Sequence, residues 1–313
     1  MSPPALSRRE VLWFSGFLVL MGAGWGATQP LTKIAVSTGY GPFGLLVWQQ
    51  VLGAALMGLA CLLRRKPLPR HAGALRAYLV IALIGAVLPN SISYTAAVHL
   101  PSGIMSLLLS VIPMFAFVIA LGLGTERFAL RRLVGLCCGL VGVLIIIIPS
   151  VDLGQAVPVL WAGAYLMTAL FYAFEGNYVA RWGVAGLDPF QLMLGASLTG
   201  LVIVAPVMLL TGQTVVPVWP PPVPQVALIA SALIHVIVYA SYVWLVGRAG
   251  AVFAVHVSYM VTGFGLFWAW LVLGEAFSSV IFVALAAMFA GMYLVQPRPK
   301  AVSVTSLVAG DTL

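Results

Sequence analysis

The chain has 313 residues, of which 62% are hydrophobic and only 7% charged, and its mean hydropathy is +1.11. So few charges cannot form the polar shell a soluble domain of this length needs, which excludes an ordinary soluble protein. The net charge of +8 would suit nucleic acid, but the positions of the basic residues give it another meaning.

Apolar runs near twenty residues long can each cross a hydrocarbon core of about 30 Å as a helix. Taken in chain order they predict spans at 11–34, 43–63, 74–98, 102–122, 130–149, 157–181, 189–211, 225–246, 250–273 and 279–296. Turn formers or charges mark most breaks, among them Gly39–Pro42, Arg64–Arg70, Pro101, Glu126–Arg132, Asp188–Pro189 and Pro217–Pro224. Arg8 and Arg9 precede the first run as in a signal peptide, yet that run continues to about Val36, too long for such a leader, and is expected to be retained. Cys61, Cys137 and Cys138 all lie in apolar spans without zinc-site spacing, so neither metal nor disulfide is expected.

Alternate breaks separate the basic residues sharply. With a cytoplasmic amino terminus, Lys33 alone falls outside and the other fourteen of the 15 Lys and Arg residues fall inside. That is the positive-inside pattern, and it places both termini in the cytoplasm. The same surplus suits anionic lipid headgroups, so membrane lipids are the expected macromolecular surroundings and nucleic acid is not a partner.

The stretch from Tyr94 to Ile147 recurs from Tyr242 to Val295. A shift of 149 residues superposes Glu126 on Glu275, Phe128 on Phe277, Val134 on Val283, Leu136 on Leu285 and Gly142 on Gly291. Five spans per half is an odd number, so the second half enters the membrane from the opposite side. The expected fold is an all-α integral membrane protein with ten transmembrane helices as two inverted five-helix repeats. Its parts are a cytoplasmic tail at 1–10, a first repeat at 11–149, an external linker at 150–156, a second repeat at 157–296 and a cytoplasmic tail at 297–313.

Trp25 and Gly26 followed by Lys33, the breaks GTERF and LGEAF at Gly124–Phe128 and Leu273–Phe277, and the ten spans together resemble the EamA-type branch of the drug/metabolite transporter superfamily. The resemblance covers about residues 11–296. It implies a ten-helix fold, a central cavity and transport without nucleotide hydrolysis, in a family composed mainly of exporters of amino acids, metabolites or toxic organic compounds. The first half departs from the second in carrying Thr125 where the second has Gly274.

Titratable groups inside spans are costly and therefore functional candidates. Glu175 is the one acid well inside a span, on the order of 9 Å from the cytoplasmic end. Ionised and unpaired it costs roughly 2.5–3.5 kcal/mol at mid-membrane, so it should take a proton or find a partner, which suits proton coupling or cation binding. A neutral or paired glutamate that packs helices is the plainer alternative. His256 is expected at similar depth in the ninth span, where it could pair with Glu175 and relay a proton; His235 is expected near the middle of the eighth. Lys33 either snorkels to the interface or attracts a substrate carboxylate.

Trp25, Gln29, Gln49, Asn90, Tyr94, Asn177, Tyr239, Tyr242, Ser258 and Tyr259 are candidate cavity-lining residues together with His235. Aromatic walls with sparse polar groups suit an amphipathic organic solute. Pro30, Pro89, Pro113 and Pro206 permit bends inside spans, and Gly22 with Gly26 and Gly135 with Gly139 have the spacing for close helix approach.

The expected function is a secondary transporter that exports small organic solutes from a bacterial inner membrane. It needs no cofactor and its partner is a small-molecule solute. An uptake carrier or an uncoupled facilitator are the alternatives. An intramembrane enzyme is the rival from another class, but the chain has no phosphate loop, zinc-binding helix or nucleophile elbow.

Overall fold

The computed structural model describes residues 8–148, 157–249 and 256–295. Helix α1 spans Arg8–Ala35, α2 Pro42–Leu63, α3 Ala72–His99, α4 Ser102–Gly122 and α5 Leu130–Ile147. They are followed by α6 at Val159–Trp182, α7 at Pro189–Leu210, α8 at Val223–Ala249, α9 at Val257–Leu273 and α10 at Ser279–Val295. No strand occurs among the described residues. Helices α2 to α7 are long and apolar enough to cross a membrane; α9, α10 and the first part of α8 are shorter apolar helices.

Two of the prolines in predicted spans distort their helices. Pro89 has no N–H to give the carbonyl of Gly85, and a π-helical segment, Ala82–Val87, lies just ahead of it. Pro113 likewise leaves the carbonyl of Leu109 unserved, and α4 is interrupted at Ser110–Val111. Pro30 and Pro206 sit inside continuous helices.

Helices of the first half pair with helices of the second: α5 packs along α10, α2 along α7, and α1 along both α8 and α9, while α6 lies against α3 and α4. Small residues allow the closest approaches. A Cβ on Gly291 would lie 2.7 Å from the Gly135 carbonyl oxygen and 2.9 Å from the Gly139 nitrogen, so α5 and α10 meet backbone to backbone. At the α1–α9 crossing a Cβ on Gly26 would lie 2.8 Å from the Gly265 nitrogen. Helix α4 is the most enclosed element: Ser102 to Leu108 are all buried. Large apolar side chains such as Leu140, Val202 and Phe282 cover the outside, a surface suited to hydrocarbon.

The connections meet in two sets. The α1–α2 and α7–α8 connections join through Gln213 Oε1, which accepts from the Phe43 N–H, and through Gln225, which donates to the Tyr40 hydroxyl. The α2–α3 and α6–α7 connections join through Asp188, with Arg64 at 2.9 Å and Lys66 at 2.7 Å. The α3–α4 break meets the α9–α10 turn through Glu275. In these contacts odd-numbered connections meet odd ones and even meet even.

The ninth span is expected from residue 250; residues 250–255 lie outside the described residues, and α9 runs from Val257 with His256 immediately before it. The linker around Asp152 and both chain ends lie outside the described residues.

Candidate functional site

Glu175 projects from α6 onto the π-helical segment of α3. A Cβ on Gly85 would lie 2.6 Å from one carboxylate oxygen and 2.9 Å from the other, so only glycine lets the carboxylate rest on this backbone. Tyr172, one turn earlier on the same face, and Tyr239, from α8, are its electrostatic neighbours. Glu175 has no hydrogen bond or ion pair to any described residue. Glu175, Tyr172, His235 and Tyr239 are each half-buried.

Helix α8 contributes an aromatic ladder to this region. The His235 ring stacks 6.2 Å from Tyr239, and Trp25 of α1 lies 6.2 Å from His235 and 5.4 Å from Tyr242. Gln29 Oε1 accepts from the Tyr165 hydroxyl at 3.0 Å, joining α1 to α6, and Gln49 Oε1 accepts from the Tyr94 hydroxyl at 3.0 Å, joining α2 to α3. The indole N–H of Trp25 is buried without a partner among the described residues. Asn90 is half-buried on α3.

Other candidates are placed elsewhere. Asn177 donates to the carbonyls of Ala116 and Ala173, so its amide ties α6 to α4. Tyr259 of α9 packs edge-on to Phe289 of α10 at 5.5 Å. Ser258 is half-buried nearby, and its carbonyl accepts from Thr262. His256 is exposed in front of α9 and lies 6.0 Å from the Tyr259 ring. Unlike the half-buried Glu175 it is exposed, and it precedes α9 instead of lying within it. Gly85, Tyr172 and Tyr165 were missed by sequence reading. The signals were available for two of them: Gly85 stands four residues before Pro89, and Tyr172 three before Glu175.

A second constellation lies at the α3–α4 break. The Lys33 ammonium donates to the carbonyls of Ala97, Val98 and Leu100 at 2.7, 3.3 and 2.9 Å, neutralising the exposed end of α3. Glu275 accepts from the N–H of Ser102 at 2.6 Å, its hydroxyl at 2.9 Å and the N–H of Gly103 at 3.0 Å, capping α4. With three carbonyls in hand Lys33 neither snorkels freely nor stands ready for a substrate carboxylate.

A model of the EamA-like transporter family matches residues 12–148 and again 159–296. The chain belongs to the EamA-like transporter family. It is therefore a multi-pass membrane protein of the drug/metabolite transporter superfamily, in a family of transporters. The comparison with curated proteins finds no match. A crystal structure 18% identical in sequence aligns over 92% of this EamA-like chain and 96% of its own, with a TM-score of 0.62. That likeness concerns the fold alone.

Proposed function

We propose that this EamA-like transporter is a secondary carrier that exports small organic solutes by alternating access. It would sit in a bacterial inner membrane with both termini cytoplasmic and ten spans arranged as two inverted halves. The observation that carries this reading is Glu175, an uncompensated carboxylate enclosed between Gly85 of the first half and Tyr239 of the second. A charge kept there costs roughly 2.5–3.5 kcal/mol, so the site repays that cost through an occupant, a proton or a solute. The cavity lining would be Trp25, Gln29, Gln49, Asn90, Tyr94, His235, Tyr239 and Tyr242, with Glu175 as the coupling group.

The two ends of the molecule support alternation because they differ. At one end Lys33 and Glu275 hold α1, α3, α4 and the α9–α10 turn together. A shift of 148 to 149 residues takes these two to Arg181 and Glu126 at the other end. There Glu126 pairs with Arg132 of its own half, and Arg181 is exposed without a described partner. One end tied and the other untied is the arrangement expected of a carrier open to the Arg181 side, which the basic residues assign to the cytoplasm.

Flux into and out of vesicles containing the purified protein, with solutes chosen by a metabolite-release screen, tests this reading. Saturable movement of unaltered solute is expected, and Glu175→Gln should slow it at least tenfold while flattening its response to pH. The other titratable groups beside Glu175 are Tyr172 and Tyr239, and His235 stacks on Tyr239. Full, equally pH-dependent flux in Glu175→Gln would remove the coupling role, and chemical conversion of the solute would point to an enzyme instead.

A further inference from the structure

The surroundings of Glu175 have a one-sided electrostatic character. Its carboxylate is uncompensated, while the cations of the described chain sit at helix ends and in connections. Arg76 and Arg131 occupy first turns, Arg181 and Arg248 last turns, and Arg64 to Lys66 a connection. Lys33, the one cation at the opposite end, is committed to three carbonyls. No Lys or Arg in this region therefore offers charge to an anionic solute. The neighbours of the carboxylate are instead aromatic side chains: Tyr172 and Tyr239 lie within electrostatic reach, with His235 stacked on Tyr239 and Trp25 beyond. A carboxylate flanked by aromatic faces selects a cation with an apolar body, since the faces attract the charge and the rings accept the remainder.

We propose that the space bounded by Glu175, Tyr172, His235 and Tyr239 receives the ammonium head of an aromatic amine, with its ring directed along the α8 ladder toward Trp25. This rests on the transport reading above and names the class of solute. Glu175 accepts the ammonium N–H groups, and Gly85 leaves room for the carboxylate against the α3 backbone.

Four probes that share a phenyl ring but differ in the head separate the possibilities: 2-phenylethylamine, its N,N,N-trimethyl derivative, 2-phenylethanol and 3-phenylpropionate. Binding to the purified full chain, read by thermal-unfolding shift and by equilibrium dialysis, should favour both cations at least tenfold over the alcohol and the carboxylate. Glu175→Gln should erase the preference of amine over alcohol, and Glu175→Asp should keep it. Tyr239→Leu should weaken the trimethyl probe more than the alcohol. Equal or better binding of the carboxylate, a preference for amine that survives Glu175→Gln, or no binding of either cation would overturn the proposal. Should Glu175→Gln fail to fold, the ranking of the four probes on the parent protein and on Glu175→Asp decides. Cation binding without flux in vesicles would keep this inference and sink the transport reading; flux of neutral or anionic solutes with no preference for amines would do the reverse.

Discussion

Asp188 accepts from the Phe190 N–H at the start of α7, and the same carboxylate takes Arg64 at 2.9 Å and Lys66 at 2.7 Å. Gln191 returns an acceptor to the Asp188 N–H and donates to the Pro67 carbonyl, so one helix start clasps the α2–α3 connection. Burial alone would raise this carboxyl, but the bonds from Lys66, Phe190 and Arg64 outweigh it and hold its pKa below the ordinary carboxylate value. A depressed carboxyl contributes its stability in full above the pKa of the unfolded chain, and loses it as pH falls through the folded value. Both cations are substantially exposed, so the two pairs together are expected to contribute no more than about 1–2 kcal/mol, less in high salt. Asp188→Asn keeps the capping acceptor and removes the charge. Its melting temperature should lie below that of the parent at neutral pH and converge with it on acidification below about pH 4. A gap that persists undiminished in acid would mean that charge is not what holds the clasp. The sequence marks Asp188–Pro189 as a break, because turn chemistry is local. Nothing local encodes partners 124 and 122 residues away, so the clasp became visible only with the fold.

Helices are legible wherever hydropathy changes at their ends, as at Pro42, Ser102 and Ser279. The start of α9 is not, because Ala251–Val255 is as apolar as the helix that follows and hydropathy carries no signal at Val257. Prolines announce distortion without fixing its form: Pro89 follows a π-helical segment, whereas Pro206 leaves α7 continuous. Nor does sequence show how the two helices flanking Pro101 end. Lys33 fills the carbonyl end of α3 and Glu275 the N–H end of α4, charges matched to the two dipoles from outside both helices. Charge-assisted bonds of this kind each contribute about 1.5–3 kcal/mol. Glu275→Gln should therefore lower thermal stability and loosen the end of α4. Ser106, one turn inside Ser102, is fully buried over Gly265 and reports on that loosening. With the native cysteines replaced, Ser106→Cys should react slowly with an external thiol reagent, and several-fold faster when Glu275→Gln is added. Equal rates in the two backgrounds would show that the grip stabilises the helices without governing access between them.

At the scale of the molecule, the grouping of connections is the feature with the widest consequence. Tyr40, Gln213 and Gln225 gather at one end, Arg64, Lys66 and Asp188 at another, and in each cluster the connections are separated by an even number of helices. Antiparallel neighbours produce that alternation, and in the proposed orientation the even-numbered end is the cytoplasmic one, because Arg64, Arg65, Lys66, Arg127, Arg131 and Arg132 all lie in or beside even-numbered connections. Charge along the chain is what carries the proposed sidedness; the contacts of the fold carry only the grouping of the connections, which composition cannot encode. The prediction is specific to two exposed positions, Thr214 between α7 and α8, and Arg65 between α2 and α3. In a chain with Cys61, Cys137 and Cys138 replaced, a membrane-impermeant maleimide should label Thr214→Cys in intact cells. It should label Arg65→Cys only once the membrane is opened. Labelling of Thr214→Cys only after permeabilisation would reverse the orientation, and labelling of both from the same side would break the antiparallel order on which two interchangeable halves depend. An inverted carrier cannot survive that second result, because Glu175 would then no longer lie between halves that can face opposite compartments in turn.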